Sequence, residues 1–245
     1  MIELDGLHKA FGARKAVDGV SFTASDGQIT GLLGANGAGK TTTLRMLYTL
    51  MQPDRGRIVV DGLDARTQPL VVRARLGVLP DARGLYRRLS ARENIEYFAA
   101  LQGMDAASTR LRVATLVQAL EMSAIIERRV EGFSQGERLK TAIARALIHD
   151  PGNVVLDEPT TGLDVMATRG LRDFLRGLKA EGRCVLFSTH IMQEVAALCD
   201  RIVILAHGRV VADGTPAALR DLAQEQNLEE AFIKIIGAVA LKELT

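Results

Sequence analysis

Apolar and polar residues alternate through much of residues 2–33. Ile2 and Leu4 are interleaved with Glu3 and Asp5, and Val20, Phe22 and Ala24 with Ser21 and Thr23. A period of two is the pattern of a half-buried strand. Asp26-Gly27 supplies a turn before an apolar run containing Ile29, Leu32 and Leu33. Phe11 falls in the first connection, between Lys9-Ala10 and Gly12. The period then changes: Leu44, Leu47 and Tyr48 recur at i, i+3 and i+4, which predicts a helix. Pro53-Asp54-Arg55-Gly56 is a turn, and Arg57–Asp61 and Arg75–Leu79 are expected strands, the second ended by Pro80-Asp81.

From about residue 84 to 150 the signals are helical only. Ser90-Ala91-Arg92-Glu93 is a capping box, followed by Ile95, Phe98, Ala99 and Gln102 at helical spacing and stopped by Gly103. Leu111, Ala114, Val117 and Leu120 predict the buried stripe of a second helix. Ser134-Gln135-Gly136-Glu137 is another capping box, opening a helix with Leu139, Ile143, Ala146 and Leu147 on one side and Asp150-Pro151 after it. Val154-Val155-Leu156 then predicts a short buried strand with Asp157-Glu158 at its end and Pro159 stopping the ladder. A helix over roughly 166–180 precedes an apolar strand, Cys184–Ser188, that leads into Thr189-His190. Ile202–Leu205 and Arg209–Val211 flank His207-Gly208, a hairpin signal. Thr215-Pro216 starts a helix, and Asn227 precedes a last one with Leu228, Ala231, Phe232 and Ile235 on one face. The whole predicts an α/β fold: a core with a mostly parallel sheet over 1–83 and 151–226, an N-terminal antiparallel β part, a helical insertion at 84–150 and a C-terminal helix in 227–245.

The glycine-rich stretch between the first apolar strand and the first helix carries the chemistry. Gly34-Ala35-Asn36-Gly37-Ala38-Gly39-Lys40-Thr41-Thr42 fits G-x4-G-K-[ST] in its required strand–loop–helix setting. Glycines let consecutive N–H groups turn inward on an anion, and the helix behind points its positive end at the same place. Lys40 can reach terminal phosphates, and the Thr41 hydroxyl can ligate Mg²⁺. In an open parallel sheet, ligands sit beyond the carboxyl ends of the strands. Asp157, Glu158 and His190 all end apolar strands, so they are expected around one crevice with the loop. Asp157 suits a hard cation, Glu158 can face an attacking water, and His190 can bond a γ-phosphate or orient that water. Phe11 can stack on a base near the loop or pack into the core.

Composition narrows the class. The 245 residues carry a net charge of +2, so no whole-chain field favours nucleic acid, and none is expected as a partner. Local arginines at 83, 87, 88, 92, 128 and 129 are either solvated faces or a docking surface for a partner or anionic lipid heads. Cys184 and Cys199 lack metal-type spacing and fit unpaired thiols in a reducing compartment. The first residues are not a signal peptide, and no run approaches the ~18 apolar residues of a membrane helix. The chain is expected to be cytosolic, with any membrane role supplied by a separate chain.

With these residues in place, nearly the entire chain, residues 2 to about 236, resembles the nucleotide-binding subunit of an ATP-binding cassette (ABC) transporter. Gly34–Thr42 matches that family's Walker A loop, Val154–Glu158 its Walker B strand with the catalytic glutamate, Gly162-Leu163-Asp164 its D-loop and His190 its switch histidine. Phe11 sits where the family has an aromatic that stacks on adenine. Phe133-Ser134-Gln135-Gly136-Glu137 sits where the family writes Leu-Ser-Gly-Gly-Gln, and Ser134 and Gly136 retain the positions that meet phosphate. Glu137 brings a negative charge near the site. Asp81, after Val78-Leu79-Pro80, stands where the family has a glutamine; being shorter and charged, it can touch Mg²⁺ more directly. The resemblance implies ATP hydrolysis with Mg²⁺ held by Thr41, Asp157 and Asp81. It also implies a homodimer in which Ser134, Gln135, Gly136 and Asp164 serve the opposite subunit's ATP. A membrane permease would dock near residues 81–92, putting the chain on the cytoplasmic face of the membrane. Gly84-Leu85-Tyr86 and Leu228–Phe232 look like the sodium- and drug-efflux (NatA-type) branch. The competing reading is a soluble ABC-type ATPase acting on ribosomes or chromosomes. Against it, the chain holds one cassette rather than a fused pair and no long heptad coiled coil.

Overall fold

The computed structural model describes residues 1–82 and 84–242, so Arg83 of the arginine cluster lies outside the described residues. Strands β1 (Ile2–Phe11) and β2 (Arg14–Ala24) form an antiparallel pair, joined on the far side of β1 by β4 (Arg55–Val60) and the short β5 (Leu63–Asp64), giving the order β2-β1-β4-β5. The second sheet runs β10-β9-β3-β8-β7-β6, built from β3 (Ile29–Leu33), β6 (Leu76–Leu79), β7 (Asn153–Asp157), β8 (Cys184–Thr189), β9 (Arg201–Ala206) and β10 (Arg209–Gly214). All its pairings are parallel except the β9–β10 hairpin. Its turn, His207-Gly208, has φ of 49° and 76°, the two positive values a two-residue hairpin turn needs.

Side-chain alternation on this sheet divides the interior. Leu32, Val155, Leu186 and Val203 face a core shared with the antiparallel sheet and with α1 (Lys40–Leu47), where Leu44 and Leu47 are fully buried. Leu33, Val154, Leu156, Phe187 and Ile204 face a second core shared with the helices that follow β6. A sheet buried on both faces needs continuous apolar runs, and Val154-Val155-Leu156 and Cys184–Phe187 supply them.

Between β6 and β7 lie α2's successors in the chain: α3 (Ala91–Leu101), α4 (Ala106–Ala119) and α5 (Gln135–Leu147), α2 itself being the short Pro69–Ala74 before β6. Both expected capping boxes form, at Ser90/Glu93 and Ser134/Glu137. The stripe expected for α4 is corrected: Leu111 is 73% exposed, and Thr109, Val113, Leu116 and Leu120 face inward. Thr109 tolerates burial because its hydroxyl donates to the Asp105 carbonyl at 2.8 Å. Near the far end of α5, the buried Arg145 donates to the Gly84 carbonyl at 2.9 Å and stands 4.5 Å over the Phe98 ring. Helices α6 (Val165–Ala180), α7 (Met192–Leu198), α8 (Pro216–Ala223) and α9 (Leu228–Lys242) complete the chain.

Candidate functional site

Parallel register brings the carboxyl ends of β3, β7 and β8 to one edge: Leu33 is opposite Thr189, and Asp157 opposite Ser188. The glycine-rich loop leaves β3 at this edge. Gly39 must be glycine, because its φ is 106° and a Cβ would sit 2.6 Å from the Ala16 carbonyl. Gly34 is equally constrained, since its Cβ would lie 2.5 Å from the Leu205 carbonyl. The loop is thereby wedged between β2 and the β9–β10 turn, and α1 starts at Lys40 with its free N–H groups at the loop.

A cleft of about 540 Å³ opens here, within the range of small-molecule sites. Phe11, Asn36, Gly37, Gly39, Lys40, Thr41, Thr42, Asp81, Glu158 and His190 line it, together with Arg14, Ala16 and Thr161, none of which the sequence reading singled out. Phe11 proves to be the last residue of β1 rather than part of a loop, and at 50% exposure it does not pack into the core. It therefore offers a bare ring at the cleft mouth, while Arg14, its cross-strand partner, adds a cation at the same rim.

The ionisable groups are joined in a short chain. The Lys40 ammonium is buried; it donates to the Gly34 carbonyl at 2.7 Å and pairs with Glu158 Oε1 at 3.2 Å. Glu158 Oε2 lies 2.9 Å from His190 Nδ1. Glu158 has φ of 47°, a left-handed conformation that a non-glycine residue adopts only when its surroundings hold it. The Ser188 hydroxyl and carbonyl provide that hold, both accepting from the Glu158 N–H at 3.1 and 3.2 Å. The same hydroxyl donates to Asp157 Oδ1 at 2.5 Å. Ser188 thus positions both carboxylates; a polar residue at the end of the apolar run before His190 was the available signal. Thr189 steadies the histidine's neighbour, accepting from Ile191 N–H and donating to the buried Glu194.

Asp157 is suited to a hard cation. Burial pushes its carboxyl above the usual carboxylate range, partly offset by hydrogen bonds from Ser188 and Thr41. Its Oδ2 is buried without a hydrogen-bond partner, and the Thr41 hydroxyl is 3.4 Å from Oδ1. Among the described residues no group of three or more His, Cys, Asp or Glu side chains forms a metal cage. One carboxylate and one hydroxyl with room for phosphate oxygens is the donor set Mg²⁺ usually takes.

The Ser134 segment does not line this cleft. Ser134 caps α5, its Oγ accepting from Glu137 N–H at 3.2 Å while Glu137 Oε2 accepts from Ser134 N–H at 2.8 Å. Glu137 Oε1 also accepts from Arg128 at 2.7 Å, so the charge that replaces glutamine has a counter-charge. Gly136 packs against the first turn of α6, a Cβ on it meeting Ala167 Cβ at 3.4 Å. Asp164 caps that same turn by accepting from Ala167 N–H at 2.7 Å. Ser134, Gln135, Gly136 and Asp164 therefore belong to one neighbourhood, beside the exposed Val165 and Met166 and apart from their own chain's phosphate loop.

Comparison with known proteins gives this arrangement its context. The family model described as "ABC transporter" matches residues 17–161. The chain is 45% identical over 228 residues to the ABC transporter ATP-binding protein NatA of Bacillus subtilis (strain 168), covering 92% of this chain and 93% of that one. It is 41% identical over 244 residues to the Nod factor export ATP-binding protein I of Paraburkholderia xenovorans (strain LB400), covering 99% and 79% respectively. A solved ATP-binding subunit of an ABC transporter superposes with a TM-score of 0.88 at 30% identity, over 96% of this chain and 99% of that one.

Proposed function

Since the chain belongs to the ABC transporter family and is an ATP-binding, ATP-hydrolysing subunit, we propose that it powers export by driving a separate membrane permease, closing and reopening a pair of cassettes around ATP. The observation that carries this reading is the separation of two half-sites. Loop, carboxylates and histidine share one cleft, whereas Ser134, Gly136 and Asp164 lie outside its lining, at the start of α5 and the first turn of α6. Two copies arranged head to tail would complete two sites.

Within one such site, the N–H groups around Gly37–Thr42 and the Lys40 ammonium bind the β- and γ-phosphates. Thr41 and Asp157 would hold Mg²⁺, directly or through water, with Asp81 at the cleft wall beside them. When bound, the ion supplies charge neutralisation on the phosphates. Glu158 accepts the proton of the attacking water, and its position between Lys40 and His190 fixes the direction of its free lone pairs. His190 orients water and γ-phosphate. Ser134, at the start of the partner's α5, donates its hydroxyl to the γ-phosphate; its capping bond uses only an acceptor site and leaves the O–H free.

Phe11 stacks on the adenine. Phe11→Ala is expected to weaken ATP binding about 5- to 150-fold, the worth of one base–aromatic stack, with Phe11→Trp close to wild type. Titration with a fluorescent ATP analogue reads this directly, and unchanged affinity in Phe11→Ala would remove the ring from the site.

The exported species is a sodium ion or a drug-like molecule, as the resemblance to the efflux branch implies; the likeness to the Nod factor export ATP-binding protein I supports export as such. No helix among the described residues is long and apolar enough to cross a membrane. The subunit would hold to the cytoplasmic face through its permease, docked near residues 81–92. Affinity purification from detergent-solubilised membranes tests this. A polytopic membrane protein is the expected co-purifying partner; ribosomes or chromosomal complexes in its place would overturn the transport role.

A further inference from the structure

We propose that Arg128 is a positioning residue for ATP hydrolysis, the counter-charge that allows a glutamate to stand fifth in the Phe133–Glu137 segment. The inference rests on that segment meeting the triphosphate of the opposite subunit. Glu137 divides its two oxygens: one accepts from the Ser134 N–H at 2.8 Å, the other from Arg128 Nη1 at 2.7 Å. Both contacts help hold the carboxyl ionised, the Ser134 bond contributing most. A carboxylate one helical turn from Ser134 would repel the phosphates that Ser134 receives. A glutamine could accept the same Ser134 bond with no charge, since either residue completes a capping box. The glutamate therefore requires a cation, and the structure supplies one from outside the segment.

Arg128 is placed for this from both sides. Its guanidinium lies 5.3 Å over the ring of Phe133, the first residue of the segment, while it bonds Glu137, the last. Its main chain is tied down as well: its N–H donates to the Ile125 carbonyl at 3.0 Å, and its carbonyl accepts from Ala91 N–H at 3.1 Å at the start of α3. Its side chain is about half exposed. An exposed pair is screened by salt, so its influence is greatest at low ionic strength.

A double-mutant cycle on the full chain, assembled with its permease where turnover requires it, separates charge from packing. In the wild-type background Arg128→Gln is expected to raise the ATP concentration for half-maximal turnover about tenfold at low salt, and less at high salt. In a Glu137→Gln background the same change is expected to alter it less than twofold. Arg128→Lys, which keeps the charge, restores most of the loss. ATP binding by the isolated monomer, measured with a fluorescent analogue, stays the same throughout. Equal losses in both backgrounds, no loss in either, or lost monomer binding in Arg128→Gln would overturn the proposal, because each makes Arg128 a packing residue, a direct phosphate ligand or a bystander. Ser134→Arg run alongside distinguishes the two levels. Turnover surviving Ser134→Arg sinks the two-subunit site itself, whereas an inactive Ser134→Arg with a flat cycle removes only the role of Arg128.

Discussion

Glu158→Gln is expected to lower ATP turnover by about 100-fold or more while leaving ATP bound and the paired form accumulating. General-base catalysis contributes about 10²–10⁴-fold, and an amide in the same place cannot take the proton. The substitution is nearly isosteric, so the two contacts from the Glu158 N–H to Ser188 that hold φ at 47° persist. ATP binding should tighten, because Glu158 Oε1 no longer competes electrostatically for the Lys40 ammonium 3.2 Å away. Phosphate release gives the rate, and size-exclusion chromatography in ATP and Mg²⁺ gives the species: a stable dimer for the variant, a mixture or monomer for wild type. Hydrolysis at the wild-type rate would mean that Glu158 is not the base.

Ser134→Arg should abolish turnover without weakening ATP binding to the monomer. An arginine fills the space above the α5 N-terminus and removes the hydroxyl that caps it, a loss of about 1 kcal/mol of local stability. That cost is small beside the stability of a folded domain, so the monomer should remain folded and its cleft intact, since Ser134 does not line it. Closure is blocked because the bulky side chain would meet the opposite subunit's phosphates. The expected result is ATP-analogue affinity equal to wild type with no dimer and no phosphate release. Loss of monomer binding would instead make Ser134 part of its own chain's site.

Most of this site was legible in the sequence because its parts obey local rules. The phosphate loop, the carboxylates after β7 and the histidine after β8 each terminate an apolar strand, and a parallel sheet brings such termini together. The departures have equally local causes. Asp61-Gly62, at φ of 50° and 78°, makes a two-residue hairpin between β4 and β5, yet β5 is so short that its pairing leaves no apolar alternation to detect. Helix α2 offers only Val72 to the core, while Leu70 and Val71 are exposed, so no 3.6-residue stripe exists. The inward face of α4 is masked in the sequence because Thr109, internally hydrogen-bonded, stands where an apolar residue would mark it. Phe11 could not be assigned from its surroundings, since core and base-stacking roles need the same residue type; its half-exposed ring separates them. Ser188 carries no distinctive signal in the sequence, since hydroxyls at strand ends are common, and only the fold shows one oxygen serving both Asp157 and the backbone of Glu158.

The Arg145 anchor makes α5 a lever arm. Ser134 begins the helix, and Arg145, eleven residues later and thus about 16 Å along the axis, grips the carbonyl of Gly84. A helix of this length transmits displacement with little internal give, so a tilt of α5 accompanying the proposed pairing of cassettes would also drag on the segment beginning at Gly84. Thermodynamic reciprocity then applies. Whatever grips that segment from outside shifts the ATP affinity at the other end by the same factor that ATP shifts its grip. With the permease docked near residues 81–92 as proposed, the buried guanidinium on that one carbonyl would link nucleotide and docking partner through the helix.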